Sequence, residues 1–196
     1  MDAAIQLIVF ALIPFVYWLI QIRKERSFTE WIGLKEMHFQ NKNRALIYAG
    51  LCFSVLLISG IVLLSFIGDR TLVANAHFSS FSLQAVLAIL AYSIIQTGLA
   101  EELFFRGFLL KIFSGWWGFN AGNMIQSLIF GALHAALLLT LLNPFLVLLI
   151  FVFSAGAGWL MGYLNERIGN GSIIPSWLIH SLMNITSSFM LMTNIL

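Results

Sequence analysis

Apolar residues run along this chain in blocks of about twenty, each closed by a short polar stretch, with no repeat, low-complexity tract or heptad pattern. A membrane-spanning helix needs ~20 mainly apolar residues, so each block predicts one helix. The first covers Ala3 to Ile22, with Pro14 as a candidate kink, and the second Ala45 to Ile67. The third starts at Leu83 and continues to about Phe113; its length exceeds one span and predicts a tilt, a break or an interfacial end. Ala121 to Leu142, Phe145 to about Leu164, and Ile173 to Ile195 complete the set, with Pro175 tolerated in the first turn of the last. Between them lie a polar stretch from Gln21 to Arg44 and a connection from Gly68 to Ser82 with Asp69, Arg70 and His77. The turn at Gly115 to Asn120 holds Trp116 and Trp117, which favour the membrane interface. Asn143 and Pro144 predict a tight reversal, and Asn165 to Gly171 a polar turn. In the fifth helix Gly156, Gly158 and Gly162 allow close helix contact. The expectation is an all-α bundle of about six helices in a single domain, with residues 1–82 forming two N-terminal helices and 83–196 a core.

Composition sharpens this picture. Of the 196 residues 60% are hydrophobic and only 9% charged, and the mean hydropathy is +0.95, which excludes a soluble globular domain and predicts a polytopic membrane protein. A formal net charge of +2 gives no footing for nucleic acid. The single cysteine, Cys52, lies in an apolar run and reads as packing. Residues 3–22 are too long and continuous for a cleavable leader and read as an anchor. Lysine and arginine set the orientation. With the N-terminus outside, Arg23, Lys24, Arg26, Lys35, Lys42 and Arg44 fall in the first internal loop, Arg106, Lys111 and Arg167 lie toward the same side, and only Arg70 is outside.

Candidate chemistry comes from polar residues that the apolar blocks do not explain. Glu101, Glu102 and Arg106 interrupt the third helix, where a single charge at the bilayer centre costs ~2.5–3.5 kcal/mol on insertion scales. Glu102 and Arg106 are four apart and can pair. Glu101 points about 100° away and lacks a partner on its own helix. The fourth helix adds His134, with Phe130 one turn below it, and the sixth adds His180 and Asn184 on one face. Hydrolysing an amide requires an activated water and a donor for the oxyanion. A glutamate can act as the base, histidines can orient the water or bind a metal, and a carboxamide N–H can donate to the oxyanion. His38 and His77 lie in polar loops and receive no catalytic role.

The order Glu101, Glu102, Arg106, then Phe130 and His134, then His180 and Asn184 resembles the family of CAAX proteases and bacteriocin-processing proteins, which includes the type II CAAX prenyl endopeptidases. The flanks Ser127 to His134 and Gly171 to His180 resemble it too, and the likeness covers about Leu83 to Ile195. The resemblance implies an intramembrane endopeptidase acting on a peptide or membrane-protein tail near the cytoplasmic face of a prokaryotic cell membrane. It implies that Glu101 activates the water, that His134 and His180 position it or bind a metal, and that Asn184 stabilises the oxyanion. Glu102, Arg106 and Phe130 would then shape the site. The family also carries a metalloprotease label, so a divalent metal such as zinc is left open, with Glu101, His134 and His180 as candidate ligands; no His-Glu-x-x-His run is present.

Two other readings compete. A non-catalytic immunity or scaffold protein would use the same polar cavity to hold a peptide or partner helix. A transporter or proton relay also places Glu and His in the membrane, although no internal repeat supports it.

Overall fold

The computed structural model describes residues 3–67 and 82–193. The predicted connection bearing Asp69, Arg70 and His77, and Ile195 at the predicted end of the last helix, lie outside these residues. The described residues form helices and no strand: α1 (Ala3–Tyr17), α2 (Phe28–Ile32), α3 (Lys42–Ser65), α4 (Leu83–Ala91), α5 (Leu110–Leu138), α6 (Pro144–Tyr163) and α7 (Ile174–Met192). Wider, π-type turns extend α1 through Trp18–Ile22, follow α4 as Tyr92–Leu99 and Glu102–Leu109, and extend α6 through Leu164–Ile168. Four helical stretches are long and apolar enough to cross a membrane. Large apolar side chains point outward along them, among them Ile20, Leu46, Leu137 and Phe145, each more than 60% exposed. Such a coat is stable in lipid and not in water. The protein is an integral membrane helical bundle.

One of those four stretches runs from Leu83 to Leu138, 56 residues, and supplies two legs because it folds back on itself at Gly118. There φ is 79° and ψ 163°, a region open essentially to glycine alone. In a straight helix Phe105 and Phe130 would be ~37 Å apart at 1.5 Å per residue; their ring centroids are 4.8 Å apart. The expected interfacial turn at Gly115 to Asn120 is therefore a reversal made at a single residue. Further along, Asn143 accepts a hydrogen bond from Leu146 N at 3.0 Å and caps α6, with Pro144 at its start; this is the expected reversal.

The stretch from Gln21 to Arg44 differs from its reading as a plain polar connection. It contains α2, capped by Ser27, whose hydroxyl accepts from Glu30 N, and ended by Gly33 at φ 90°. Ile32 is fully buried, and its carbonyl lies so near Gly107 that a Cβ there would come within 2.7 Å of it. Ile173 N donates to Gly33 O at 2.9 Å, Ser172 Oγ to Lys35 O at 2.8 Å, and Lys111 Nζ to Gly171 O at 3.0 Å. A short helix with a buried C-terminal end thus braces the start of α7 against the leg that carries the carboxylates.

The α5 and α6 helices meet through small residues, though not all those the sequence offered. A Cβ on Gly158 would be 3.1 Å from Ser127 Cα, whereas one on Gly156 would meet nothing within 4 Å. On the facing helix, a Cβ on Gly131 would lie 2.7 Å from the Phe151 carbonyl and 2.8 Å from Ala155 Cβ. Neither neighbour can move without moving the α6 backbone. Gly131→Ala should lower stability by ~1–3 kcal/mol, the range for overpacking, while Gly156→Ala should leave it unchanged. Thermal unfolding midpoints in detergent check this, and equal midpoints for both variants would contradict the packing described.

Candidate functional site

The leg entering the site is helical but not uniformly α. In Tyr92–Leu99 and Glu102–Leu109 the backbone bonds reach five residues back, and these wide turns flank Glu101. Such turns re-aim side chains within a helix and recur at functional sites. The over-long third block is resolved in this way, together with the fold at Gly118.

Glu102 points into the bundle. Its Oε1 is 3.0 Å from Arg106 Nη1 and 2.9 Å from His180 Nδ1, and its Oε2 accepts from Ser176 Oγ. Glu102, Arg106 and Ser176 are each 0% exposed. Ser176 belongs to the first turn of α7, where backbone N–H groups lack intrahelical partners. Asn165 meets that need from the end of α6: its Oδ1 accepts from Ser176 N at 3.2 Å, and its Nδ2 donates to Ser176 Oγ at 2.7 Å. The pair expected between Glu102 and Arg106 is present and is the centre of a larger network. Arg106 also lies over the ring of Phe130, 4.3 Å from its centroid, a desolvated cation–π contact worth up to ~2 kcal/mol.

Glu101 faces the other way. Its Oε2 is 3.8 Å from His180 Nε2 and 3.9 Å from His134 Nε2, and it is buried with no hydrogen-bond partner among the described residues. The two adjacent carboxylates straddle one imidazole, Glu102 at Nδ1 and Glu101 at Nε2. Both histidines have a defined tautomer. His134 Nδ1 is 2.9 Å from the Phe130 carbonyl, which can only accept, and His180 Nδ1 is held by an ion-paired carboxylate. Each Nδ1 therefore carries the proton, and in the neutral rings each Nε2 offers a lone pair toward Glu101. His134 stacks on Phe130 at 4.3 Å between ring centroids, and its side chain is 35% exposed, against 12% for Glu101 and His180. The site opens on the His134 side.

Why Glu101 and His134 meet follows from the fold at Gly118. Glu101 and His134 lie at nearly equal chain distance on either side of that residue, so in two antiparallel legs they lie level. The reversal falls at Gly118, which sets the two residues side by side on facing legs. Asn184 lies one turn beyond His180, and its Nδ2 donates to Thr97 Oγ1 at 2.7 Å. Thr97 in turn donates to the Tyr92 carbonyl at 3.1 Å, a bond five residues back. One of the two N–H groups of Asn184 is spent on this contact.

Two histidines and a carboxylate are a donor set that zinc accepts. Oε2 of Glu101 stands 3.8 and 3.9 Å from the two Nε2 atoms, wider than the ~3.3–3.4 Å between neighbouring ligand atoms of a tetrahedral zinc with bonds of ~2.0–2.1 Å. Among the described residues no group of three or more His, Cys, Asp or Glu side chains is arranged to hold a metal ion.

Sequence reading missed Ser176, Asn165 and Thr97. Ser176 was within reach, since it stands four residues before His180 and shares its face. Asn165 and Thr97 carried no such signal: one was absorbed into a polar turn, and the other is an ordinary residue in an apolar run.

No curated protein and no solved structure matches this chain. A family-level sequence comparison does: residues 82–186, more than half of the chain, match the type II CAAX prenyl endopeptidase Rce1-like family. That span begins at the cap of α4, contains the fold at Gly118, and ends two residues after Asn184, so it encloses the whole network just described. The chain belongs to the type II CAAX prenyl endopeptidase Rce1-like family, a family of membrane proteases.

Proposed function

We propose that this chain cleaves a peptide bond in a peptide or membrane-protein tail, with a water activated by Glu101 as the nucleophile. One observation carries the reading: the buried, unpartnered Oε2 of Glu101 faces Nε2 of both histidines. A water about 2.8 Å from Oε2 and from either Nε2 is compatible with separations of 3.8 and 3.9 Å. Glu101 takes a proton from this water as its oxygen bonds to the carbonyl carbon, and the carbonyl becomes an oxyanion. The second N–H of Asn184 is the donor assigned to that oxyanion. When the tetrahedral species collapses the C–N bond breaks, and Glu101 returns its proton to the leaving amine. Glu102 holds the His180 ring in place, Arg106 pairs with Glu102, and Phe130 packs between Arg106 and His134.

Orientation is part of the proposal. Lys35, Lys111 and the turn at Gly171 are joined at one end of the bundle, which supports a shared cytoplasmic side, an external N-terminus and a site open toward the cytoplasm. No step passes through a metal. Cleavage of a peptide substrate by the purified protein should therefore persist unchanged through exhaustive chelation and be absent in Glu101→Gln. Loss on chelation, with recovery on adding zinc, would overturn the metal-free mechanism.

A further inference from the structure

We infer that a cavity at the basic end of the bundle holds the phosphate headgroup of an anionic phospholipid. The cavity measures about 440 Å³ and lies between the α1–α2 connection, the start of α5 and the turn before α7. Arg26, Lys35 and Lys111 line it, with Glu30, Glu166 and Ser114. Lys111 is the best placed of the cations. Its Nζ donates to Gly171 O at 3.0 Å and pairs with Glu166 at 3.9 Å, beyond hydrogen-bond reach, so two of its three N–H donors make no hydrogen bond among the described residues. The side chains of Arg26 and Lys35 form no ion pair or hydrogen bond among the described residues. Three cations outnumber the two carboxylates, and the oxygens of a phosphate group can accept from their N–H donors.

The surroundings favour a lipid over a soluble anion. Trp18 Nε1 donates to the Arg26 carbonyl at 2.8 Å, tying that arginine to the end of α1. There Leu19 and Ile20 are 40% and 70% exposed on the face that acyl chains cover. Trp116 and Trp117, both more than half exposed, follow Gly115 of the cavity wall and mark headgroup depth. Basic pockets between helices at this depth are suited to phosphorylated headgroups.

The test compares wild type with Arg26→Gln/Lys35→Gln, leaving Lys111 in place because its bond to Gly171 contributes to the fold. Arg23→Gln/Lys24→Gln is the control, since both residues are exposed near the same end and do not line the cavity. Each protein is titrated in neutral detergent with phosphatidylglycerol or phosphatidylcholine, read by thermal shift and native mass spectrometry. Wild type and the control pair should retain phosphatidylglycerol in preference to phosphatidylcholine. The Arg26/Lys35 pair should bind it about tenfold or more weakly while keeping its unliganded melting temperature. Equal losses in both pairs would reduce the site to diffuse surface charge and overturn it. Displacement by inorganic phosphate at the same concentration as lipid would make it a small-anion site. Displacement by a peptide with a free C-terminal carboxylate, where the amidated peptide fails, would assign the cavity to substrate and overturn the lipid.

Discussion

Glu101→Gln protein should fold, insert and purify like wild type, yet cleave peptide at least a hundredfold more slowly. A positioned general base contributes ~10²–10⁴ in rate, or about 2.7–5.5 kcal/mol of barrier, and glutamine keeps the shape of the side chain without its basicity. Folding should be spared because Oε2 of Glu101 has no hydrogen-bond partner among the described residues to lose. Two measurements decide the matter: the melting temperature of the variant, and the set of membrane peptides in cells carrying it compared with wild type. Uncut substrate should accumulate with Glu101→Gln. If the purified protein cleaves no peptide and the variant behaves as wild type in cells, the hydrolytic reading fails. The polar cavity would then belong to a protein that binds a peptide or partner helix without cutting it.

The sequence carried this site because the membrane makes ionisable residues conspicuous. Glu101, His134 and His180 are unexplained by apolar blocks, and their distance from the turns places them on neighbouring legs. The helical-bundle class was legible for the same reason, since the apolar blocks have at least the length a bilayer demands. What the pattern could not show is local geometry that hydropathy does not encode. The wide turns beside Glu101 arise in a segment whose residues would equally suit an α-helix. The sharp fold at Gly118 looks in sequence like any glycine in a turn. Burial of Ile32 depends on Gly107, seventy-five residues further on, having no side chain; only the tertiary contact reveals why a loop rich in charge contains a fully buried isoleucine.

The same limit governs Glu102, and it leads to the second large effect. From spacing alone Glu102 is half of an ion pair with Arg106. In the structure it also accepts from Ser176 and His180, so its removal should disturb both stability and turnover. Glu102→Gln leaves Arg106 fully buried with its charge uncompensated, and breaking a buried pair on one side costs ~3–5 kcal/mol. The variant should express poorly or melt far below wild type, unlike Glu101→Gln. A double variant separates the two roles. Glu102→Leu with Arg106→Leu removes both charges at once, which is often neutral or stabilising by comparison with the broken pair. Its melting temperature should recover toward wild type. Turnover should not, because the Nδ1–H of His180 then has no acceptor and its ring is free to turn Nε2 away from Glu101. Recovery of both stability and activity in the double variant would mean that Glu102 serves only to neutralise Arg106. Recovery of stability alone assigns it the orientation of His180, through the 2.9 Å contact between Oε1 and Nδ1.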